Sequence, residues 1–340
     1  MPTMTEILGF SPVMPYIVLI IGFFLLIKGA DYFVEGCSSV AKTFHIPTII
    51  IGLTIAAFGT SAPEAAVSIT SSLKGANDMS VSNVIGSNMF NLLMVIGLCS
   101  VIKPLKVSDT IIKRDFPICI VVTAIMLLMA ADCFMHGFTA SVISRVDGIF
   151  LLAIFTCYIF LLIQNTLSAR KKYSDGIHDS EDCEIKTMST GKSIICIIAG
   201  VSAVLIGGEF VVDSASDIAY SFGLSNTFVG LTIVAIGTSL PELVTSIIAS
   251  FKGENDLALG NVVGSNLFNI LFVLGIAATV SPINLSGIKD SEFILYDIII
   301  LTCITVLAYV FSLLKKNITK AEGSIMVFLY VCYMIYIVVR

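Results

Sequence analysis

Apolar runs about as long as a lipid bilayer is thick dominate this chain and limit what it can fold into. The hydrocarbon core of a bilayer is about 30 Å thick, so a helix that crosses it needs roughly 20 apolar residues. We expect membrane-spanning helices at 12–34, 48–73, 81–101, 115–132, 146–164, 193–213, 226–251, 258–280, 293–314 and 323–339. The predicted fold class is therefore an all-α integral membrane protein with ten transmembrane helices.

The composition excludes the soluble classes of protein. Of the 340 residues, 56% are hydrophobic and 13% are charged, whereas a soluble domain carries about 25% charged residues. The formal net charge of −5 gives no basic excess that would attract a nucleic acid. We expect the lipid bilayer as the surroundings, with neither a nucleic acid nor an obligate protein partner. The first residues include Glu6 and lack a basic segment, so a cleavable signal peptide is not expected.

Lysine and arginine residues are distributed unequally between the two sides of the expected membrane. The loops that join spans 1–2, 3–4, 5–6, 7–8 and 9–10 carry 14 of the 19 basic residues, and the opposite side carries four. Cytoplasmic loops are enriched in Lys and Arg. This bias predicts a plasma-membrane protein with both termini outside and with the polar linker 165–192 in the cytoplasm.

The sequence contains an internal duplication. Residues 52–97 align without a gap with residues 230–275, and 27 of these 46 positions are identical. Each half holds five spans, an odd number, so the second copy enters the membrane in the opposite orientation. Inverted repeats are typical of secondary transporters, whose binding site lies at the midplane between the copies. We therefore expect a five-helix repeat at 1–164, the linker at 165–192 and an inverted five-helix repeat at 193–340.

A carboxylate lies near the middle of one span in each repeat. The motif GTSAPE at residues 59–64 returns as GTSLPE at residues 237–242, and it ends on Glu64 and Glu242. A charged side chain at the bilayer centre costs at least about 2.5 kcal/mol, so it needs a partner. No Lys or Arg lies at this depth of these two spans. A bound cation is the natural counter-ion.

Proline breaks both of these spans next to the carboxylate. Pro63 and Pro241 lack an N–H and clash with the carbonyl groups of Gly59 and Gly237, four residues earlier. We expect each helix to kink there and to turn carbonyl oxygens toward a cavity. Hydroxyl oxygens beside the breaks come from Thr60, Ser61, Thr238 and Ser239.

A second polar motif lies on the following span of each repeat. GSNMFN at residues 86–91 returns as GSNLFN at residues 264–269. The serine and the last asparagine of each motif are four residues apart and share a helix face. These candidate ligands are Ser87, Asn91, Ser265 and Asn269. Asn88 and Asn266 lie on another face, and we expect them only to bond neighbouring backbone. All of these donors are hard oxygens, which suit Ca²⁺ and Na⁺ rather than zinc or copper.

These motifs resemble the paired alpha repeats of the sodium/calcium exchangers, in the calcium/cation antiporter superfamily. The resemblance covers the whole ten-span plan and is most specific at residues 52–97 and 230–275. The chain is most similar to prokaryotic members, because its central linker is too short for calcium-sensing domains. It lacks the GNAAE-type motif that is typical of the proton-coupled branch.

The resemblance implies that Glu64 and Glu242 coordinate Ca²⁺ and compete for Na⁺, with Asn91 as a polar ligand. It also implies sodium ligands from the hydroxyl groups of Thr60, Ser61, Ser87, Thr238, Ser239 and Ser265 and from the backbone carbonyls of Ala57 and Ala235. Some relatives carry Asp at the position of Asn269. The neutral amide leaves the number of sodium ions, the sensitivity to protons and the dependence on potassium open.

The predicted function is secondary antiport of Ca²⁺ against Na⁺ by alternating access at one central site. The protein is expected not to be an enzyme and to need no cofactor, since Ca²⁺ and Na⁺ are its transported ions. Exchange of Ca²⁺ for H⁺, potassium-dependent exchange and a cation channel are the alternatives. An intramembrane hydrolase is disfavoured because no His or Lys lies near Ser61 or Ser239 in the sequence.

Acidic residues also occur at matched positions near the ends of the first and sixth expected spans. Asp31 and Glu35 correspond to Glu209 and Asp213. Charged residues at span ends are usually solvated, so we expect these four to mark where each helix leaves the membrane.

Overall fold

Nearly all of the described chain is helical. The computed structural model describes residues 13–75, 77–135, 142–174, 188–222, 235–284 and 291–339. Within these ranges, eight helices are long and apolar enough to cross a bilayer, and a bent pair of helices makes a ninth candidate span. A helix satisfies its own backbone hydrogen bonds, which hydrocarbon cannot do. The chain is an all-helical, multi-pass membrane protein, as the sequence predicts.

The helices are numbered here in chain order. The first half contains α1 (Met14–Thr43), α2 (Thr48–Thr60), α3 (Ala62–Leu73), α4 (77–102), α5 (111–135) and α6 (Arg145–Ser174). The second half contains α7 (Thr190–Ser221), α8 (Ala235–Gly237), α9 (Leu240–Phe251), α10 (Asn255–Val280), α11 (Ser291–Lys315) and α12 (Lys320–Val339). Parts of α2, α4, α5 and α10 are π-helical, at Gly52–Ala56, Phe90–Val95, Ile111–Asp115 and Asn269–Val273.

Large apolar side chains cover the outside of the first and seventh helices. Ile20 and Phe24 on α1 are 69% and 62% exposed, and Ile195 and Ile198 on α7 are 67% and 61% exposed. A soluble protein would bury such side chains. In a bilayer this surface contacts lipid.

Helices α1 and α7 pack against each other through glycines. A Cβ atom on Gly29 would lie 2.9 Å from the carbonyl oxygen of Gly200, and one on Gly200 would lie 2.8 Å from the carbonyl oxygen of Gly29. Gly22 and Gly207, seven residues away on each helix, face each other in the same way. A Cβ on Gly22 would lie 3.0 Å from the Gly207 carbonyl oxygen, and one on Gly207 would lie 2.8 Å from that of Gly22. A side chain at these positions would force the two antiparallel backbones apart.

The remaining long helices form the rest of the bundle in similar pairs. α4 packs on α12, α10 packs on α6, and α5 packs on α11. Glycine again allows the first two contacts, because a Cβ on Gly97 would lie 3.1 Å from the Gly323 carbonyl oxygen and one on Gly148 would lie 2.7 Å from that of Gly275. The large hydrophobic core runs through these helices and surrounds α4 and α10.

Two short strand pairs fasten the loops at the ends of the bundle. β1 (Leu105–Lys106) pairs with β4 (Asn317–Ile318), and β2 (Val142–Ile143) pairs with β3 (Ile283–Asn284), both antiparallel. The loops that precede α5 and α12 therefore lie at one end, and those that precede α6 and α11 lie together. The sequence predicted this grouping of loops but not the strands.

Charged side chains at the end that carries β1 and β4 are paired or partly buried. Lys316 contacts Asp109, as does Lys113 at 3.6 Å, and the hydrogen bond from Lys316 lowers the pKa of the Asp109 carboxyl below its ordinary value. Glu254, between α9 and α10, is half-buried, and this burial raises its pKa.

Three helices extend beyond the expected spans. α1 continues to Thr43 rather than 34, α7 to Ser221 rather than 213, and α6 to Ser174 rather than 164. The charged residues that the sequence predicts at span ends lie inside α1 and α7, where their side chains reach the surface without breaking the helix. The start of the seventh expected span, at 226–234, lies outside the described residues.

Candidate cation-binding site

Two helix breaks carry the first motif of each repeat into the middle of the bundle. α2 and α3 meet at Ser61 with a bend of 49°. Ser61 (φ −84°, ψ 9°) and Ser239 (φ −95°, ψ 7°) leave the helical conformation in the same way. Because a new helix starts immediately afterwards, Glu64 and Glu242 each lie in a first turn, where the helix dipole favours a negative charge. The predicted break is present in both motifs.

The two glutamates are fully buried, and each accepts a hydrogen bond from a serine of the other repeat. The Ser61 hydroxyl donates to Oε1 of Glu242 at 2.8 Å. The Ser239 hydroxyl donates to Oε1 of Glu64 at 3.0 Å. Each carboxylate is therefore held by the broken helix of the other half, which brings the two motifs together at one place.

The second motif adds one more hydroxyl to each carboxylate. Ser87 on α4 donates to Oε1 of Glu64 at 3.4 Å, and Ser265 on α10 donates to Oε1 of Glu242 at the same distance. All of these side chains are at most 3% exposed. The predicted serine ligands thus lie directly beside the predicted carboxylates.

Four buried oxygen atoms around this centre accept no hydrogen bond from the described residues. They are Oε2 of Glu64, Oε2 of Glu242, Oδ1 of Asn91 and Oδ1 of Asn269. Leaving a buried polar atom unpaired is costly, and it is costlier for a charged one. All four are acceptors, so a cation or a hydrogen-bond donor can satisfy them and a further acceptor cannot.

The remaining predicted ligands are placed less directly. The Thr60 hydroxyl is buried but donates to Oδ1 of Asn261 at 3.2 Å and contacts the Ala56 carbonyl. The Ala57 carbonyl accepts the N–H of Ser61 at 3.0 Å and keeps one lone pair free. Thr238 is half-buried, and Ala235 begins the short helix α8.

The chemistry of the donors fits a hard cation. Carboxylate, carboxamide and hydroxyl oxygens are the ligands that Ca²⁺ takes in proteins, usually six to eight at once. Among the described residues, no Lys or Arg forms an ion pair with Glu64 or Glu242. These oxygens beside the two helix breaks therefore suit a hard cation such as Ca²⁺ or Na⁺.

Comparison with known families decides what kind of protein this is. A model of the sodium/calcium exchanger protein family matches residues 14–164 and 192–339, which is most of the chain. The chain belongs to the sodium/calcium exchanger family. Members of this family are transporters rather than enzymes, so this exchanger is a cation antiporter that handles Ca²⁺.

Individual relatives match this exchanger along most of its length. The inner membrane protein YrbG of Escherichia coli (strain K12) is 35% identical over 266 residues, which cover 78% of this chain and 79% of YrbG. The sodium/calcium exchanger MaX1 of Methanosarcina acetivorans is 28% identical, and the match covers 94% and 97% of the two chains. A solved structure of the sodium-calcium exchanger NCX_Mj, soaked without Na⁺ and Ca²⁺, superposes with a TM-score of 0.80 at 27% identity, over 96% of this chain and all of that one.

The sequence reasoning missed a further pair of polar contacts in this exchanger. Asn83 donates to the Ser68 hydroxyl at 2.9 Å, and Asn261 donates to the Ser246 hydroxyl at 3.0 Å. Asn83 also donates to the Glu64 carbonyl at 3.2 Å, so it braces the turn that carries the carboxylate. The sequence did contain a signal for this contact. The asparagine and the serine are identical in the two repeats, and they lie 15 residues apart in both.

The site of the exchanger is packed more tightly at one end than at the other. Asn261 on α10 is fully buried, and a Cβ on Gly264 would lie 2.8 Å from that of Ala57. Asn83 on α4 is partly exposed. The start of α10 is therefore buried more deeply than the start of α4.

Proposed function

We propose that this protein exchanges Ca²⁺ for Na⁺ across the membrane by alternating access at the site between the two broken helices. The observation that carries this proposal is the group of four buried acceptor oxygens that lack partners, on Glu64, Glu242, Asn91 and Asn269. Two carboxylates neutralise one divalent ion, and several Na⁺ ions can replace it on the same oxygens. The names of the relatives MaX1 and NCX_Mj support sodium as the opposing ion.

Coupling follows from the burial of the two carboxylates. With no cation bound, Glu64 and Glu242 would place two negative charges close together in a dry site. Carrying such uncompensated charges through a closed state costs several kcal/mol. Ca²⁺ removes this cost by binding both carboxylates, and Na⁺ ions remove it by sharing their oxygens. The empty carrier therefore does not cross, and the fluxes of the two ions are linked.

We assign the other ligands by their position around the carboxylates. Ser61, Ser239, Ser87 and Ser265 contact the glutamates and would turn their hydroxyl oxygens to Na⁺. Further oxygens would come from Thr60, Thr238 and the backbone carbonyls of Ala57 and Ala235. Asn91 and Asn269 would supply carboxamide oxygens.

We further propose ten spans in two inverted repeats, 1–164 and 193–340, joined by the linker 165–192. Reciprocal contacts support a twofold relation, because the Ser61–Glu242 bond becomes the Glu64–Ser239 bond when 178 is added to or subtracted from each number. The same operation exchanges the glycine contacts between α1 and α7. The seventh of these spans, 226–251, would contain α9.

The basic residues assign the linker to the cytoplasm and both termini to the outside. The plasma membrane is the proposed location, and export of Ca²⁺ is the proposed direction. Under this assignment the more exposed start of α4 faces outward. The chain would act without an obligate protein partner.

Uptake of ⁴⁵Ca²⁺ into proteoliposomes tests the proposal. We expect uptake that depends on an outward Na⁺ gradient, with pH and K⁺ equal on both sides. Uptake that follows a proton gradient and ignores Na⁺ would indicate Ca²⁺/H⁺ exchange, and a requirement for K⁺ would indicate potassium-dependent exchange. Uptake without any opposing ion would indicate a channel. Each of these three results contradicts the proposed coupling.

A further inference from the structure

Two buried asparagines link the second motifs of the repeats. Asn88 on α4 and Asn266 on α10 are 0% and 1% exposed. Nδ2 of Asn88 donates to the backbone carbonyl of Asn266 at 3.4 Å, and Nδ2 of Asn266 donates to the backbone carbonyl of Asn88 at 3.5 Å. Both asparagines do bond backbone, as expected, but the carbonyl that each one reaches belongs to the other repeat.

These backbone contacts fix which way each side chain points. A carbonyl oxygen can only accept a hydrogen bond, so the amide nitrogen must face it and the amide oxygen must face away. The oxygen of Asn266 then accepts from Nδ2 of Asn91 at 3.2 Å. The oxygen of Asn88 accepts from Nδ2 of Asn269 at 3.1 Å. The backbone contact of each first asparagine therefore also determines the orientation of a second asparagine side chain.

The end of each chain of bonds is an oxygen without a partner. Asn91 and Asn269 give their nitrogens to Asn266 and Asn88, so their Oδ1 atoms remain, buried and unpaired. Asn91 lies one helical turn after Ser87, which bonds Glu64, and therefore shares that face of α4. A reversed carboxamide would present two N–H groups to the cation and repel it.

We propose that Asn88 and Asn266 are positioning residues that hold the carboxamides of Asn269 and Asn91 with their oxygens toward the transported cation. The inference rests on the proposed function and deepens it. With an amide at position 269, the site has two carboxylates and completes its coordination with two oriented dipoles. An aspartate there would need no such orientation, because both of its oxygens accept.

The substitution Asn88→Ala tests one of the two chains of bonds. It removes the acceptor that holds Asn269 but keeps the backbone carbonyl that holds Asn266, so Asn91 stays oriented. Loss of a residue that orients a metal ligand typically weakens metal affinity about 10- to 100-fold. We expect a loss of this size in the KM for Ca²⁺ of sodium-driven ⁴⁵Ca²⁺ uptake. The Ca²⁺ concentration that half-stabilises the purified protein against heat should rise by the same factor.

A second substitution distinguishes orientation from packing. In an Asn269→Asp background the ligand is symmetric, so Asn88→Ala should weaken Ca²⁺ affinity no more than about threefold. In an Asn91→Asp background the full loss should remain, because Asn91 depends on Asn266. Asn266→Ala with Asn91→Asp is the mirror-image experiment, and it replaces the first pair if Asn88→Ala does not fold.

Other outcomes overturn the inference in distinguishable ways. An equal loss of affinity in the Asn269→Asp and unmodified backgrounds would mean that Asn88 only packs. An affinity within about twofold of the unmodified protein after Asn88→Ala would also reject the positioning role. If the unmodified protein shows neither stabilisation by Ca²⁺ nor sodium-driven uptake, the proposed function itself fails.

Discussion

The hydroxyl of Ser61 donates a 2.8 Å hydrogen bond to Oε1 of Glu242, a residue 181 positions later in the chain. Its counterpart, Ser239, donates to Glu64. Each half of the protein therefore orients the carboxylate of the other half. A displacement of one broken helix would therefore disturb the hydrogen bond to the carboxylate on the other.

Removing either hydroxyl should weaken ion binding through the opposite carboxylate. A hydrogen bond to a charged group contributes about 1.5–3 kcal/mol, so Ser61→Ala should raise the KM for Ca²⁺ by roughly tenfold or more. Ser239→Ala should give a loss of similar size. Ser72→Ala is the matched control, because the Ser72 hydroxyl is buried on α3 without a partner among the described residues. Normal Ca²⁺ affinity in both site variants would contradict the crosswise role.

Neutralising either glutamate should abolish exchange. Glu64→Gln and Glu242→Gln keep the shape of the side chain and remove half of the charge that balances Ca²⁺. Because the charge of the ligands sets Ca²⁺ affinity over several decades, we expect at least a ~100-fold loss of ⁴⁵Ca²⁺ uptake. Glu209→Gln, on the exposed surface of α7, should change uptake much less. Normal uptake by a folded Glu64→Gln or Glu242→Gln variant would contradict the assignment of the cation site to these two glutamates.

The sequence predicted which serine side chains lie beside the two carboxylates but not the hydrogen-bond partners of the asparagines. The duplication and the proline after each Ser predicted the breaks beside Glu64 and Glu242, because these are local effects of chain chemistry. A repeat offset shows which residues are equivalent, yet it does not show which copy each residue touches. The bonds from Asn88 and Asn266 to the other repeat could therefore not be predicted. Their position on a different helix face pointed away from the site.

The lengths of the helices were harder to predict for a different reason. Asp31 and Glu35 occur where the apolar run of α1 ends, which made them look like residues beyond the membrane. In the structure they lie on a continuous helix and contact Lys252. A charge that finds a partner at the membrane surface does not end a helix, and hydropathy alone cannot detect the partner.

The topology can be tested by labelling. A single cysteine at Ser174, at the end of α6, on a cysteine-free background should react with an impermeant reagent only after the cells are opened. The reason is that the distribution of basic residues predicts a cytoplasmic location for this end. A single cysteine at Val146, at the start of α6 and 74% exposed, should react from outside. Labelling of position 174 in intact cells would reverse the assignment.

The glycine contact between α1 and α7 should tolerate no side chain. In Gly200→Ala the new Cβ would lie 2.7 Å from the Phe33 nitrogen and 2.8 Å from the Gly29 oxygen, both backbone atoms that cannot move independently. Overpacking of this kind costs about 1–3 kcal/mol, so the purified protein should melt several degrees lower. Gly191→Ala on the same helix meets no described atom within 4 Å and should leave the melting temperature unchanged or raised. Equal melting temperatures for the two variants would contradict the close packing.

Ion pairs join α1 to the end of α9, beside the buried start of α10. Lys252, just after α9, contacts the carboxylates of Asp31 and Glu35, the latter at 3.0 Å, and donates to the Asp31 carbonyl at 3.1 Å. The equivalent residues of the other repeat are Lys74, Glu209 and Asp213, and in the described part of the chain no ion pair joins Lys74 to either acid. Among the described residues the ion pairs are thus formed beside the buried start of α10, and the equivalent pairs are not formed beside the more exposed start of α4.

Breaking these ion pairs should make the buried start of α10 more accessible. Exposed ion pairs contribute at most about 1 kcal/mol each and Lys252 forms two, so Lys252→Gln should increase the reaction of a cysteine at Leu257 with a water-soluble reagent by up to about 30-fold. Leu257 is a useful probe because it is 1% exposed at the start of α10. Salt should reduce the difference between Lys252→Gln and the unmodified protein, since it screens the pair that remains in the latter. Lys74→Gln is the matched control and should leave the reaction unchanged. If Lys74→Gln increases the reaction as much as Lys252→Gln does, or if Lys252→Gln has no effect at low salt, the ion pairs do not limit access to the start of α10.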